Sequence, residues 1–230
     1  MANQPPYYDV YNPNYPRYGE PLRARRRFGT SPMELLHLLL ATVVLTTAIV
    51  IWLQFWQPQK TEDLELWQLI IVATGIVVTG FVLHEVAHKI TAQHYGHWSE
   101  FRSSMGGLAF TLLLAIGLKM LFGAPGATWH TATSVKDNGK ISAAGPFTNL
   151  VIALIAFPFT GGVTGDEALP NVIADGVLVF NTFLAIFNLI PLGPLDGRKI
   201  LRWNPVVYGI LVALTILLIV YANPFQGFLE

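Results

Sequence analysis

The chain has 230 residues, of which 53% are hydrophobic and only 12% charged, with a mean hydropathy of +0.48 and no net charge. Soluble domains carry about a quarter charged residues, so this is a membrane composition, and the neutral balance argues against a nucleic-acid partner. There is no cysteine, which excludes disulfides, thiolate metal sites and thiol nucleophiles and leaves His, Asp or Glu to hold any metal.

Residues 1–30 read as a disordered cytoplasmic tail. Pro5, Pro6, Pro13, Pro16 and Pro21 alternate with Tyr7, Tyr8, Tyr11, Tyr15 and Tyr18, without apolar periodicity, and such a stretch cannot bury enough surface to offset its ordering entropy. A docking motif is the alternative. Arg23, Arg25, Arg26 and Arg27 then precede the apolar run from Met33 to Leu53. That run is too long for a signal-peptide core and no small-residue cleavage site follows it, so it reads as a signal anchor whose basic flank stays in the cytoplasm. Residues 31–230 are expected to form a single transmembrane domain.

Five apolar stretches are long enough to cross a bilayer core of about 30 Å: 33–54, 66–94, 142–160, 172–190 and 205–222. The expected fold is therefore an all-α, polytopic helix bundle of five to six spans in the cell membrane. The sixth candidate, 107–122, is shorter and contains Lys119. Loop charges bear on it. The loop 55–65 sets one Lys against Glu62, Asp63 and Glu65 and reads as external, whereas Lys136 and Lys140, and then Arg198, Lys199 and Arg202, mark internal loops. The chain then begins and ends the stretch 102–136 on one side. Segment 107–130 is expected to dip in and return, which membranes tolerate only against protein or a water-filled cavity. The alternative is a full span with one loop misassigned.

The second span ends in His84-Glu85-Val86-Ala87-His88. On a helix two histidines four apart stack on one face and can chelate one zinc, while Glu85 is placed to take a proton from water activated there. In this composition the pattern arises by chance in about one chain in two hundred. Ionisable residues inside an apolar span are functional candidates; the bland alternative is a polar cluster capping the helix, with Lys89 snorkelling to the headgroups. A third ligand is needed. His94 has metzincin-like spacing, but Thr91 stands where that pattern breaks the helix with Gly, and Glu100 lies in the polar stretch beyond. Asp196 fits better. It follows Pro191, Gly193 and Pro194, which break regular helix at the leaflet assigned to His84 and His88; an N-cap aspartate is its structural alternative.

These motifs, His84-Glu85-x-x-His88, Gly145-Pro146-x-x-Asn149 and Asn188-x-x-Pro191 followed by Leu195-Asp196-Gly197, resemble the site-2 protease family of intramembrane zinc metalloproteases. The similarity covers a little over a third of the chain and matches a short form without a PDZ or CBS domain. It implies a helix bundle with one zinc per chain buried below the cytoplasmic surface, held by His84, His88 and Asp196, with Glu85 as catalytic base. Asn149 and Asn188 would hold a transmembrane protein or peptide substrate, or line the site. Segment 107–130 takes the place of the family's membrane-embedded β-structured segment. Two rival readings are a catalytically silent scaffold for single-span proteins and a small transporter using His and Glu as a proton relay.

Overall fold

The computed structural model describes residues 29–56, 64–118, 123, 125–164 and 168–223. Of the expected tail only Gly29 and Thr30 fall within them. Ser31 caps the first helix, α1 (Pro32–Trp56), by accepting the Glu34 N–H at 3.1 Å, with Pro32 at the position where a missing N–H costs nothing. The second span is one continuous helix in three parts: α2 (Leu66–Val77), a π turn over Val78–Val82, and α3 (Leu83–His94). There follow strand β1 (Ser99–Ser103), helix α4 (Met105–Gly117), strand β2 (Gly126–His130), α5 (Val135–Ala156) and a 3₁₀ turn at Phe157–Phe159. A short α6 (Gly161–Thr164), then α7 (Leu169–Leu189), α8 (Asp196–Trp203) and α9 (Pro205–Ala222), complete the described chain.

Five of these helical stretches, 32–54, 66–94, 135–159, 169–189 and 205–222, are long and apolar enough to cross a membrane. The expected polytopic bundle is therefore present. Leu39, Ile71, Leu154, Ile155, Val206, Leu217 and Val220 point outward and are exposed, as hydrocarbon-facing surfaces require. The span expected at 142–160 begins seven residues sooner. Ser134 accepts the Asp137 N–H at 3.0 Å and starts α5 there; its first two turns carry Lys136, Asp137 and Lys140, which a hydropathy reading leaves out.

The two ends of segment 107–130 lie close together. At 1.5 Å per residue, the 13-residue α4 is about 20 Å long, too short for the hydrocarbon core. The chain then comes back to its starting point: Ser104 N–H donates to the Pro125 carbonyl at 2.9 Å, and β2 pairs antiparallel with β1, setting Arg102 opposite Ala127. Among the described residues this hairpin is the one departure from an all-α fold, and β2 lies in the segment that the resemblance set in the place of a β-structured one. It is pinned on both sides. The Glu34 carboxylate of α1 accepts the Phe101 N–H at 3.0 Å, and His37 Nδ1 lies 2.7 Å from Ser103 Oγ. Glu34 also takes Lys89 of α3 in a buried ion pair. Lys89 thus does not snorkel to headgroups. Its ammonium turns inward to Glu34 and Thr30, because a buried carboxylate needs a paired charge. Helix α5 packs against α3, α7 and α8, and that junction contains the site.

Candidate metal centre

His84 and His88 are one turn apart on α3, and Asp196 is the first residue of α8. All three are buried. The turn 190–195 brings α8 in against the end of α7, and Gly197 lies so close to the Leu189 carbonyl that any side chain would collide with it. The centre is the meeting of two histidine Nε2 atoms 3.0 Å apart with Asp196 Oδ2, which lies 3.1 Å from His88 Nε2 and 3.5 Å from His84 Nε2. Zinc with ligand bonds of about 2.0–2.1 Å holds tetrahedral ligand atoms about 3.3 Å apart. The triangle therefore fits zinc, and three protein ligands leave a fourth position open. Among the described residues, this is the cluster of His, Asp and Glu able to hold a metal.

The outer nitrogens fix the tautomers. His88 Nδ1 donates to the Ile141 carbonyl at 2.7 Å. His84 Nδ1 donates to Asn149 Oδ1 at 2.5 Å. The orientation of the Asn149 amide is set by its nitrogen, which donates to the Gly80 carbonyl at 2.8 Å and to Asn181 Oδ1 at 2.9 Å. With both Nδ1 atoms protonated, both Nε2 lone pairs face the centre, the arrangement that outer hydrogen bonds impose on metal-binding histidines. Burial pushes the Asp196 carboxyl up, but when the facing imidazoles carry protons on Nε2, His88 and His84 hold it well below the usual carboxylate range, so Asp196 stands as an ionised, acceptor-only group. Lys199 approaches its other oxygen at 3.4 Å.

Glu85 stands beside this triangle. Its Oε2 accepts the Thr128 N–H at 2.8 Å, and its own carbonyl accepts Thr128 Oγ1 at 3.1 Å. Strand β2 is thereby fastened to the helix at the residue following His84. The other wall is Gly145 of α5. A Cβ built there would lie 2.5 Å from His84 Nε2 and 2.5 Å from His88 Nε2, so the missing side chain leaves the space that the metal needs.

The other sequence candidates fall elsewhere. His94 ends α3, exposed, with its ring against Tyr95 at 5.3 Å, and Glu100 pairs with Arg102. Asn149 touches His84, but each of its polar atoms already has a protein partner. It lines the site beside His84, one of the two roles that the resemblance implied. Asn188 is half-buried near the end of α7, its Nδ2 donating to the Leu184 carbonyl at 3.0 Å. Sequence reasoning missed Gly145 as a wall, Thr128, and Asn181, fully buried and bonded also to the Val177 carbonyl at 2.9 Å. Asn181 had a signal: an amide midway along an apolar span is costly unless it has partners.

Asp196→Ala is expected to lower zinc occupancy sharply, since it removes a ligand, whereas His94→Ala should leave occupancy unchanged. Metal analysis of the two purified variants checks this, and the reverse pattern would remove Asp196 from the ligand set.

Fold and centre together define a multi-pass membrane protein with a two-histidine, one-aspartate site fit for zinc. The chain is 35% identical over 151 residues to Putative zinc metalloprotease MJ0611 of Methanocaldococcus jannaschii, covering 61% of the chain and 74% of that protein. It is 28% identical over 138 residues to Putative zinc metalloprotease Rip3 of Mycobacterium tuberculosis, in two strains, covering 59% of the chain and 31% of that relative. No family model matches the chain, and no solved structure matches it. On the first of these relationships the chain belongs to the zinc metalloprotease family.

Proposed function

We propose that the protein is an intramembrane protease of the site-2 type, which binds one zinc per chain and hydrolyses a peptide bond within a transmembrane segment of a membrane-protein substrate. The observation that carries this reading is the placement of Glu85, His84 and His88, buried, on a membrane-length helix with Asp196 brought to them. A hydrolytic centre at that depth meets the backbone of a membrane-embedded chain sooner than that of a soluble one. The proposed orientation puts the N-terminus and the metal centre toward the cytoplasm. Its support is the basic set Arg102, Lys136, Lys140, Arg198, Lys199 and Arg202 in the loops and helix ends around the site.

When bound, zinc supplies Lewis-acid activation of water and of a carbonyl. Glu85 accepts the proton of the attacking water and returns it to the leaving amine. Among the described residues Glu85 Oε1 makes no hydrogen bond, so one carboxylate oxygen is available while Thr128 holds the other. Asn149 and Ile141 keep the two imidazoles turned inward. A helical substrate hides its amides in intrahelical bonds and must open locally. Strand β2, which lies against Glu85, offers extended backbone against which an opened segment can pair, and Asn188 offers an amide at the end of α7.

The test is cleavage of labelled transmembrane peptides in proteoliposomes, with soluble peptides alongside, before and after chelation and zinc restoration. The expected outcome is cleavage inside the apolar segment, lost on chelation and regained with zinc. Zinc-loaded protein that binds the peptides and leaves them intact would establish a scaffold instead; proton flux without zinc binding would establish a transporter.

A further inference from the structure

Strand β2 carries a third histidine, His130, towards the centre. Its side chains alternate between faces, so Thr128 and His130 share one. That face is turned to α3, because the Thr128 side chain donates through Oγ1 to the Glu85 carbonyl. His130 therefore follows one strand repeat, about 6–7 Å, beyond the Glu85 contact. Its ring is half-buried.

Burial first, and then the charge of Lys199, push its pKa down to about 4, with Asp196 acting in the opposite sense. The ring is thus neutral at neutral pH, and it stands on the strand that Thr128 fastens to Glu85. Its tautomer is also set. His130 Nδ1 accepts the Ala132 N–H at 3.3 Å, so the ring proton is on Nε2. Among the described residues no group accepts that proton. A neutral imidazole with one nitrogen satisfied by its own strand end, and the other presenting N–H beside a hydrolytic centre, is a preorganised hydrogen-bond donor.

We infer that His130 Nε2–H donates to the scissile carbonyl oxygen of the substrate as negative charge develops there, which makes His130 a catalytic residue of the peptide hydrolysis. The inference rests on the proteolytic reading above. It differs from the role of Glu85, which handles the proton of water; His130 moves no proton and breaks no bond.

Two substitutions separate the donor from the strand. His130→Asn keeps an acceptor for the Ala132 N–H but presents nothing at the Nε2 position. His130→Gln places an amide N–H near that position. The asparagine variant is expected to lose about a hundredfold in kcat, the scale of one lost oxyanion donor, with KM, zinc content and melting temperature unchanged. The glutamine variant should recover most of the loss. A phosphinic analogue of the cleaved peptide should bind the asparagine variant more weakly by a similar factor, while the uncleaved peptide binds both variants equally. Unchanged kcat in His130→Asn overturns the inference, as does a loss carried by KM, by zinc content or by stability, or one that glutamine does not restore. Absence of chelator-sensitive turnover in the wild type overturns the proteolytic reading and this inference together. Wild-type turnover with an unaffected His130→Asn overturns this inference alone.

Discussion

Gly145→Ala is expected to abolish zinc binding while the helix bundle still assembles. The added Cβ would lie 2.5 Å from both His84 Nε2 and His88 Nε2, closer than real carbon contacts allow and within about half an ångström of a zinc–nitrogen bond length. The methyl group thus occupies the volume of the metal. The two imidazoles cannot retreat without giving up Asn149 and the Ile141 carbonyl on their far sides. Alanine is itself a better helix former than glycine by about 1 kcal/mol, so α5 gains locally what the centre loses. Zinc affinity should fall by at least about a hundredfold, the upper range for disturbing the shell around metal-binding histidines. The rise in melting temperature that zinc confers on the wild type should vanish. Metal analysis and a thermal melt with and without zinc check both; a stoichiometric zinc in the variant would mean that α5 stands farther from α3 than described.

Glu85→Gln should retain zinc and fold but lose nearly all turnover. The carboxamide oxygen can still accept the Thr128 N–H, so the contact between β2 and α3 survives. None of the three ligands is altered, and Asn149 still orients His84. What disappears is a group able to take a proton from water, whose contribution is typically 10²–10⁴-fold. Turnover of a transmembrane peptide by zinc-loaded variant and wild type, measured on preparations of equal metal content, checks this. Near wild-type activity in the variant would remove Glu85 from the chemistry.

The spans and the two histidines were legible because each is a local signal. Hydropathy marks a membrane helix, and a spacing of four marks one helical face. Asp196 was legible at one remove, because the breakers Pro191, Gly193 and Pro194 announce a turn and the loop charges place that turn in the right leaflet. The rest depends on distant partners. The resemblance put β-structure somewhere in 107–130, but no residue pattern marks Gly126-Ala127-Thr128-Trp129-His130 as the strand until it meets Ser99–Ser103, and nothing about Gly145 marks it as facing two imidazoles rather than lipid. Asn149 was seen as functional, but its partner, 65 positions away along the chain, was not. The ion pair of Glu34 with Lys89 spans 55 positions and no pattern in the sequence pairs them.

The π turn at Val78–Val82 has a geometric consequence for the whole second span. Buried residues along it fall in adjacent couples: Val72 with Ala73, Ile76 with Val77, Gly80 with Phe81, His84 with Glu85, His88 with Lys89, and Ala92 with Gln93. The repeat is a tetrad, and a straight α-helix advances about 40° too far for every four residues. Five such steps amount to about 200°, enough to carry the last couples to the opposite side. A wider turn accommodates about one extra residue and removes roughly half of that precession; the remainder is a right-handed wrap, the sense expected of any repeat longer than 3.6. Without the widening, the aliphatic couples of the outer half and the ionisable couples of the inner half could not both face the bundle. His84, Glu85 and Lys89 would turn toward hydrocarbon, at about 2.5–3.5 kcal/mol for each group charged there. The phase of that helix is therefore set by how many residues the turn contains.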